Sequence, residues 1–265
     1  MRFMKYRYTI IFLFVSFVTG HLFSQDNQEW GWRNIEYWDL ETRILDQTDY
    51  SFHYFDAPAD FRESEFHSSA DFTMAGFSSA ADFGASVFYD TADFSSAKFH
   101  SAAIFEDVEF NSMASFLMAR FDSAVNLAGA QFHSKVFFDY CKFDSIADFG
   151  HTEFKCEVSL LRDTLPKFLN FSKTTRISNE IDLTQSVINP EYDTCYINLT
   201  NAAIDKFRFR YKRFKLWFPK EDSVEYEFKA NVYEDLLLMQ KSEGFTQSYE
   251  ILDKEYREFQ FTDPD

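Results

Sequence analysis

"ADFTMAGFSSAADFGASVFYDTADFSSAKF", residues 70–99, sets a phenylalanine at every fifth or sixth position with almost no other large apolar side chain between them. Aligned on those rings, the chain repeats every eleven residues. Nine copies run without a break from ADFRESEFHSS (59–69) to ADFGHTEFKCE (147–157). A worn copy, TDYSFHYFDAP (48–58), precedes them, and another, VSLLRDTLPKF (158–168), follows. Within the nine, the third and eighth positions are Phe except at Leu127, and the residue two before each is Ala, Ser, Val, Thr or Cys. No charge falls on those four columns.

Side chains two apart on extended chain share a face, so small-x-Phe turns both inward and the intervening residue outward. Five-residue steps are too short for a strand and hairpin, and out of phase with a helix. They suit a chain that extends, turns a corner and extends again, coiling into a solenoid. Small side chains keep the coil narrow while Phe fills its axis. Coils stacked about 4.8 Å apart bring rings within the ~4.5–7 Å of favourable offset stacking.

The motif, most plainly in ADFSSAKF and its neighbours, resembles the pentapeptide-repeat family. The resemblance covers about Thr48 to Phe171 and implies a right-handed, four-sided β-helix with Phe at the centre of each step. One extra residue per eleven departs from the strict five-residue pattern, so the expected coil is about 22 residues, not 20. The fold class expected is therefore mainly β, a right-handed quadrilateral β-helix with an N-terminal cap and a C-terminal helical tail.

With two copies per coil, the seventh column splits between opposite flanks. One carries Glu65, Val87, Glu109, Gln131 and Glu153; the other carries Gly76, Lys98, Arg120 and Lys142. Like charges at coil spacing repel, so the basic ladder either finds counter-ions or serves a partner. The same half-coils gather Met74, Leu117, Met118, Phe137 and Tyr140 in outward columns. The candidate partner-binding residues are thus Lys98, Arg120, Lys142, Leu117, Met118, Phe137 and Tyr140. Either the C-terminal segment or another protein is expected to cover this side, the alternative being scattered surface apolar residues.

Outside the repeats the chain changes character. Residues 1–24 combine a basic start (MRFMKYRY), a short apolar run (TIIFLFVSFV) and a polar exit, which together describe a secretory signal peptide cleaved near Gly20 or Ser24. The protein is expected to be secreted or periplasmic, with membrane association only if the chain belongs to a longer anchored protein. Residues 25–47 hold three of the four tryptophans and no repeat, and read as a partly helical N-terminal cap. Repeats occupy 48–171. Degenerate coils and a capping strand fill 172–218, where Leu183 and Ile188, then Leu199, Ile204, Phe209 and Phe214, keep a spacing of five. From 219 to 265 the period turns helical, with Gly244 dividing a hairpin of two helices.

The segment DKFRFRYKRFKLWF (205–218) alternates basic and aromatic residues. It reads either as a stacking surface for single-stranded nucleic acid or as a half-buried edge strand with Phe207, Phe209 and Tyr211 inward. The strand reading is preferred. Cys141, Cys156 and Cys195 form no CxxC pair; a Cys156–Cys195 bridge is one alternative and free buried thiols the preferred one.

Catalytic signatures are missing from the sequence, and no cofactor or metal site is expected. His67, His100 and His133 share a repeat column, but their 33-residue spacing puts His100 opposite the others. His67 and His133 fall three coils apart, about 14 Å at the coil spacing, too far to share an ion. The Asp column (Asp60, Asp71, Asp82, Asp93, Asp148) is read as bonding corner amides. The formal net charge of −17 argues against general attraction to nucleic acid or anionic lipid.

The expected function is a non-catalytic extracytoplasmic scaffold presenting a repeat surface to a protein partner. The alternative, which the resemblance implies, is a DNA-mimicking protein that interacts with gyrase. Residues 59–157 carry 16 acids and six bases. That is about one net charge per 2 Å of axis, near the ~1.7 Å of duplex DNA. The basic ladder and the signal segment weigh against it. An enzyme would need a pocket, for which the loop at 189–194 against the helical tail is the candidate region.

Overall fold

The computed structural model describes residues 33–35, 38–39, 48–219 and 225–262. The expected signal segment lies outside them, as does most of the 25–47 stretch.

The chain winds into a right-handed parallel β-solenoid of about seven turns, followed by two helices. Each regular coil has four short sides. Ala70–Asp71, Gly76–Phe77, Ala81–Asp82 and Val87–Phe88 each join a different sheet, and Ala92–Asp93 returns to the first. Each strand pairs in parallel with its equivalent 22 residues on, as in Ala70 with Ala92 and Ala92 with Ala114. The expected coil length is the observed one. That spacing holds to Asp148 opposite Asn170, then loosens: Thr164 faces Val187 and Phe168 faces Tyr196.

Every Phe of the two ring columns from Phe55 to Phe154 is buried. The rings build four stacks, one behind each side. Phe72 lies 4.8 Å from Phe94 with planes 3° apart, and Phe94 lies 5.1 Å from Phe116. Neighbouring stacks meet edge to face, Phe72 against Phe83 at 5.3 Å and 87°. Offset stacking along the axis and edge contact across it are the two geometries the ring quadrupole favours. Leu127, itself buried, interrupts one stack between Phe105 and Phe149.

Two opposite corners of each coil carry a feature that residue types do not announce. From Phe52 to Lys173 every eleventh residue has a positive φ near 50–70°, and Gly129 is the only glycine among them. A left-handed L-residue costs roughly 1–2 kcal/mol. Two bonds hold the corner regardless: the Ala75 N–H donates to the Phe72 carbonyl three residues back, and the Met74 N–H donates to Ser95 on the next coil. The closing bond with positive φ at its third residue is a type II turn. The Asp column supplies a further hold, as expected: the carboxylates of Asp71, Asp82, Asp93 and Asp148 accept the amides of Thr73, Gly84, Ser95 and Gly150 at 2.8–2.9 Å.

Toward the N-terminus, Arg33–Ile35 pairs with His53–Phe55 and Trp38–Asp39 with Ala59–Asp60, adding one coil's edge to two sheets. These described parts of the expected cap are extended, not helical. At the other end, helix α1 (Tyr226–Ser242) and helix α2 (Thr246–Thr262) form the expected hairpin around Gly244, whose φ is +69°. Leu236, Val232, Met239 and Leu252 join the core cluster beside Phe209, Tyr211 and Phe214, so the hairpin closes the last coil. The buried Gln240 amide donates to the Phe209 carbonyl at 2.9 Å. Among the described residues no helix is long and apolar enough to cross a membrane.

The segment 205–218 is not one strand. Short 3-10 turns at Ile204–Lys206 and Tyr211–Arg213 separate the strands Phe207–Arg208 and Phe214–Leu216, which extend different sheets. Phe207, Phe209, Tyr211 and Phe214 are all buried, leaving no aromatic of that set to stack on a base. Phe207, Phe209 and Tyr211 turn inward as the alternation of two requires, and Ile204, Phe209 and Phe214 as the spacing of five requires. All three cysteines are free, so Cys156 and Cys195 are not bridged.

Candidate functional site

Coil geometry divides the flanks as the 22-residue count requires. Lys98 lies opposite Arg120, and Arg120 opposite Lys142, on one sheet. Glu65, Val87, Glu109, Gln131 and Glu153 line the sheet two sides away. His67 and His133 fall on that second flank beside Glu65 and Glu109, whereas His100 falls on the basic one beside Asp122.

The basic ladder has counter-ions of its own. Arg120 Nε donates to Asp122 at 2.5 Å, and Lys142 Nζ donates to Asp144 at 2.7 Å. Both acids stand two residues beyond their bases, where the strand ends and the next corner begins. Burial would raise the Asp122 carboxyl, but hydrogen bonds from Arg120 and His100 outweigh it and hold the group below the usual carboxylate range. Asp144 also accepts the Asn189 amide at 2.7 Å, and its carbonyl accepts the Tyr192 hydroxyl at 3.0 Å. The loop at 189–194 is thereby pinned to the coil wall, with Asn189 buried. A cavity among the described residues lies to one side of it, between Leu183–Ile188 and Arg210–Phe214.

The apolar candidates cluster at one corner, between the sheet of Ala70–Asp71 and the sheet of Gly76–Phe77. Leu117 and Met118 occupy the two central positions of a type II turn, so their side chains must point away from the coil. Met118 is 56% exposed and Leu117 37%. Tyr140, one coil on from Met118, is 47% exposed, and its hydroxyl accepts Arg162 Nη1 at 3.0 Å. Phe137 is half-buried on the adjoining strand Val136–Phe137. Backbone bonds link these coils directly, Met118 N–H to the Asp139 carbonyl and Tyr140 N–H to that of Leu161. Met74 and Leu161, both exposed, extend the same corner column and its neighbour. The hairpin packs on the final coil rather than here, so the C-terminal segment is not the cover.

Sequence reasoning missed other exposed apolar residues. Leu238 on α1 and Phe261 on α2 are 67% and 85% exposed, the highest values among the large apolar side chains described. Leu238 stands within LLLM (236–239) but off the line of Val232, Leu236 and Met239, which was the available signal. No protein-family model, curated protein or solved structure matches the chain.

Proposed function

We propose that the protein is a Phe-rich member of the pentapeptide-repeat class, a non-catalytic scaffold working outside the cytoplasm and binding a protein partner. One observation carries this reading: the cluster of outward apolar side chains at Leu117, Met118, Phe137, Tyr140 and Leu161 on a single corner, with Met74 on the same corner beyond Ser95 and Ser96. An apolar corner built on rigid stacked coils pays little ordering entropy on association. The ring-filled axis leaves the coils no interior space for chemistry, which favours a binding role. The carboxylates beside Arg120 and Lys142 move the weight of recognition from the basic ladder to the corner.

The test is recovery of proteins from an envelope fraction by the full chain, by Leu117→Asp with Met118→Asp, and by Lys98→Glu with Arg120→Glu and Lys142→Glu. The expected outcome is that the corner variant loses specific proteins that a Val87→Asp change on the opposite flank retains. Equal recovery by wild type and corner variant would remove the reading. Cell fractionation tests the location: a cytoplasmic protein with an intact N-terminus would remove the extracytoplasmic role and favour the DNA-mimic alternative.

A further inference from the structure

Residues 206–215, KFRFRYKRFK, hold six cations and no acid in a chain whose net charge is −17. Once the aromatics of this run are buried, the cations need a separate explanation. Arg208 has one: it bridges Glu243 at 2.6 Å and Asp182 at 3.5 Å, tying the last coil to the helical hairpin. Lys212 and Arg213 have none, for among the described residues no carboxylate pairs with either. They contrast with Arg120 and Lys142, each of which holds an aspartate.

Arg210, Lys212 and Arg213 all line one cavity of about 190 Å³. Its remaining walls are Thr184 and Ser186 on one side and Leu183, Ile188 and Phe214 beneath. Arg210 is held in place, its guanidinium lying over the Phe245 ring at 5.2 Å from the centroid. The Ser186 hydroxyl is already spent on the Leu160 carbonyl at 3.2 Å, whereas the Thr184 hydroxyl makes no bond among the described residues. Among the described residues, three cations and one hydroxyl thus line a partly apolar cavity to which no carboxylate contributes.

We propose that this cavity is a binding site for a small phosphomonoester. A dianion with three terminal oxygens can engage the donors of Arg210, Lys212, Arg213 and Thr184 together, whereas a single carboxylate would leave part of that charge unmatched. The floor of Leu183, Ile188 and Phe214 accepts a compact organic group on the ester oxygen. The volume is well below the ~300–1,000 Å³ of pockets for larger ligands, which excludes a nucleotide. The site is independent of the apolar corner, on a different part of the solenoid.

Isothermal titration of the full chain with phenyl phosphate, at fixed ionic strength in chloride, tests the assignment. Saturable binding is expected, weakened at least tenfold by Arg213→Gln or Lys212→Gln, since each removes charge-assisted hydrogen bonds. Arg120→Gln, on the paired ladder, serves as the control and is expected to leave the affinity unchanged. Both cavity variants are at exposed positions, and circular dichroism verifies that they fold. The absence of saturable heat, or equal binding by Arg213→Gln and wild type, would overturn the site. Binding of phenylacetate as tight as that of phenyl phosphate would overturn the phosphomonoester class.

Discussion

Asp163 is the one acid on the small-residue columns. It sits at the sixth position of the worn copy 158–168, where the nine regular copies have Ala, Ser, Val, Cys or Thr, and it is fully buried. One carboxyl oxygen accepts the Cys141 N–H at 2.8 Å; the other has no partner. Burial first, and the nearby charge of Asp139 second, push its pKa up to about 8, against the lowering effect of the Cys141 amide. The folded protein therefore keeps a proton that the unfolded chain releases above pH 4. Binding more protons in the folded state makes stability fall as pH rises from about 4 to about 8, by on the order of 5 kcal/mol in all. Asp163→Asn keeps the shape and removes the ionisation. Its urea midpoint is expected to match wild type near pH 4 and exceed it at pH 8; parallel pH profiles for the two proteins would refute this. The aspartates of the second column, by contrast, were legible: spacing put them outside a corner, and a short acceptor there finds the amide two residues on. The left-handed column was not legible, because Glu63, Met74, Asp107 and His151 share no preference for that conformation. Backbone bonds between coils enforce it.

At the level of elements, what the sequence conveyed depended on how many neighbours repeat the same instruction. The coils from 48 to 171 each bury the same two columns, so an odd residue such as Leu127 cannot shift the register. From 172 onward each coil has its own length, and KFRFRYKRF satisfies both a period of two and a period of five. Burial realises both, Phe207, Phe209 and Tyr211 on the first and Phe209 and Phe214 on the second; what local sequence does not show is the pair of 3-10 turns that breaks the strand, set by stacking on the preceding coil. The helical hairpin was readable from its 3.6-residue apolar spacing and Gly244, but its docking was not. Its place on the last coil is fixed by specific polar contacts beside the buried apolar ones: Gln240 bonds the Phe209 carbonyl and lies 3.4 Å from the Tyr211 amide, while Tyr211 and Tyr233 both donate to Glu255 at 2.9 and 3.2 Å. Gln240→Ala leaves two buried backbone groups unpaired, at a cost of about 1–3 kcal/mol each. Amide hydrogen exchange is expected to quicken at Phe209–Phe214 and along α1, with Phe94 and Phe116 unchanged. Uniform acceleration across the chain would mean that hairpin and coils open as one unit.

Across the whole molecule, interior and exterior follow different periods, and the difference can be tested by deletion. The interior repeats every eleven residues: each unit offers the same small columns, the same rings and the same left-handed corner. The exterior repeats every 22, because only alternate units share a flank. Removing residues 92–113 takes out one full coil and sets Ala114 on Ala70, so the acidic and basic flanks and the Leu117–Tyr140 corner stay in line. Removing residues 103–113 takes out half a coil and sets Ala114 on Ala81. Ring stacks still match, but Arg120 then lies above Val87 and Lys98 beside Gln131, and the corner column loses its N-terminal continuation. In a solenoid whose stability is a sum over neighbouring coils, both deletions are expected to fold with β-type circular dichroism and a modestly lower melting point. Only the half-coil deletion is expected to alter recovery of partners through the corner. If the half-coil deletion fails to fold while the full-coil deletion folds, the two units of a coil are not interchangeable. The left-handed corners and edge-to-face ring contacts would then carry a 22-residue instruction that the eleven-residue sequence pattern conceals.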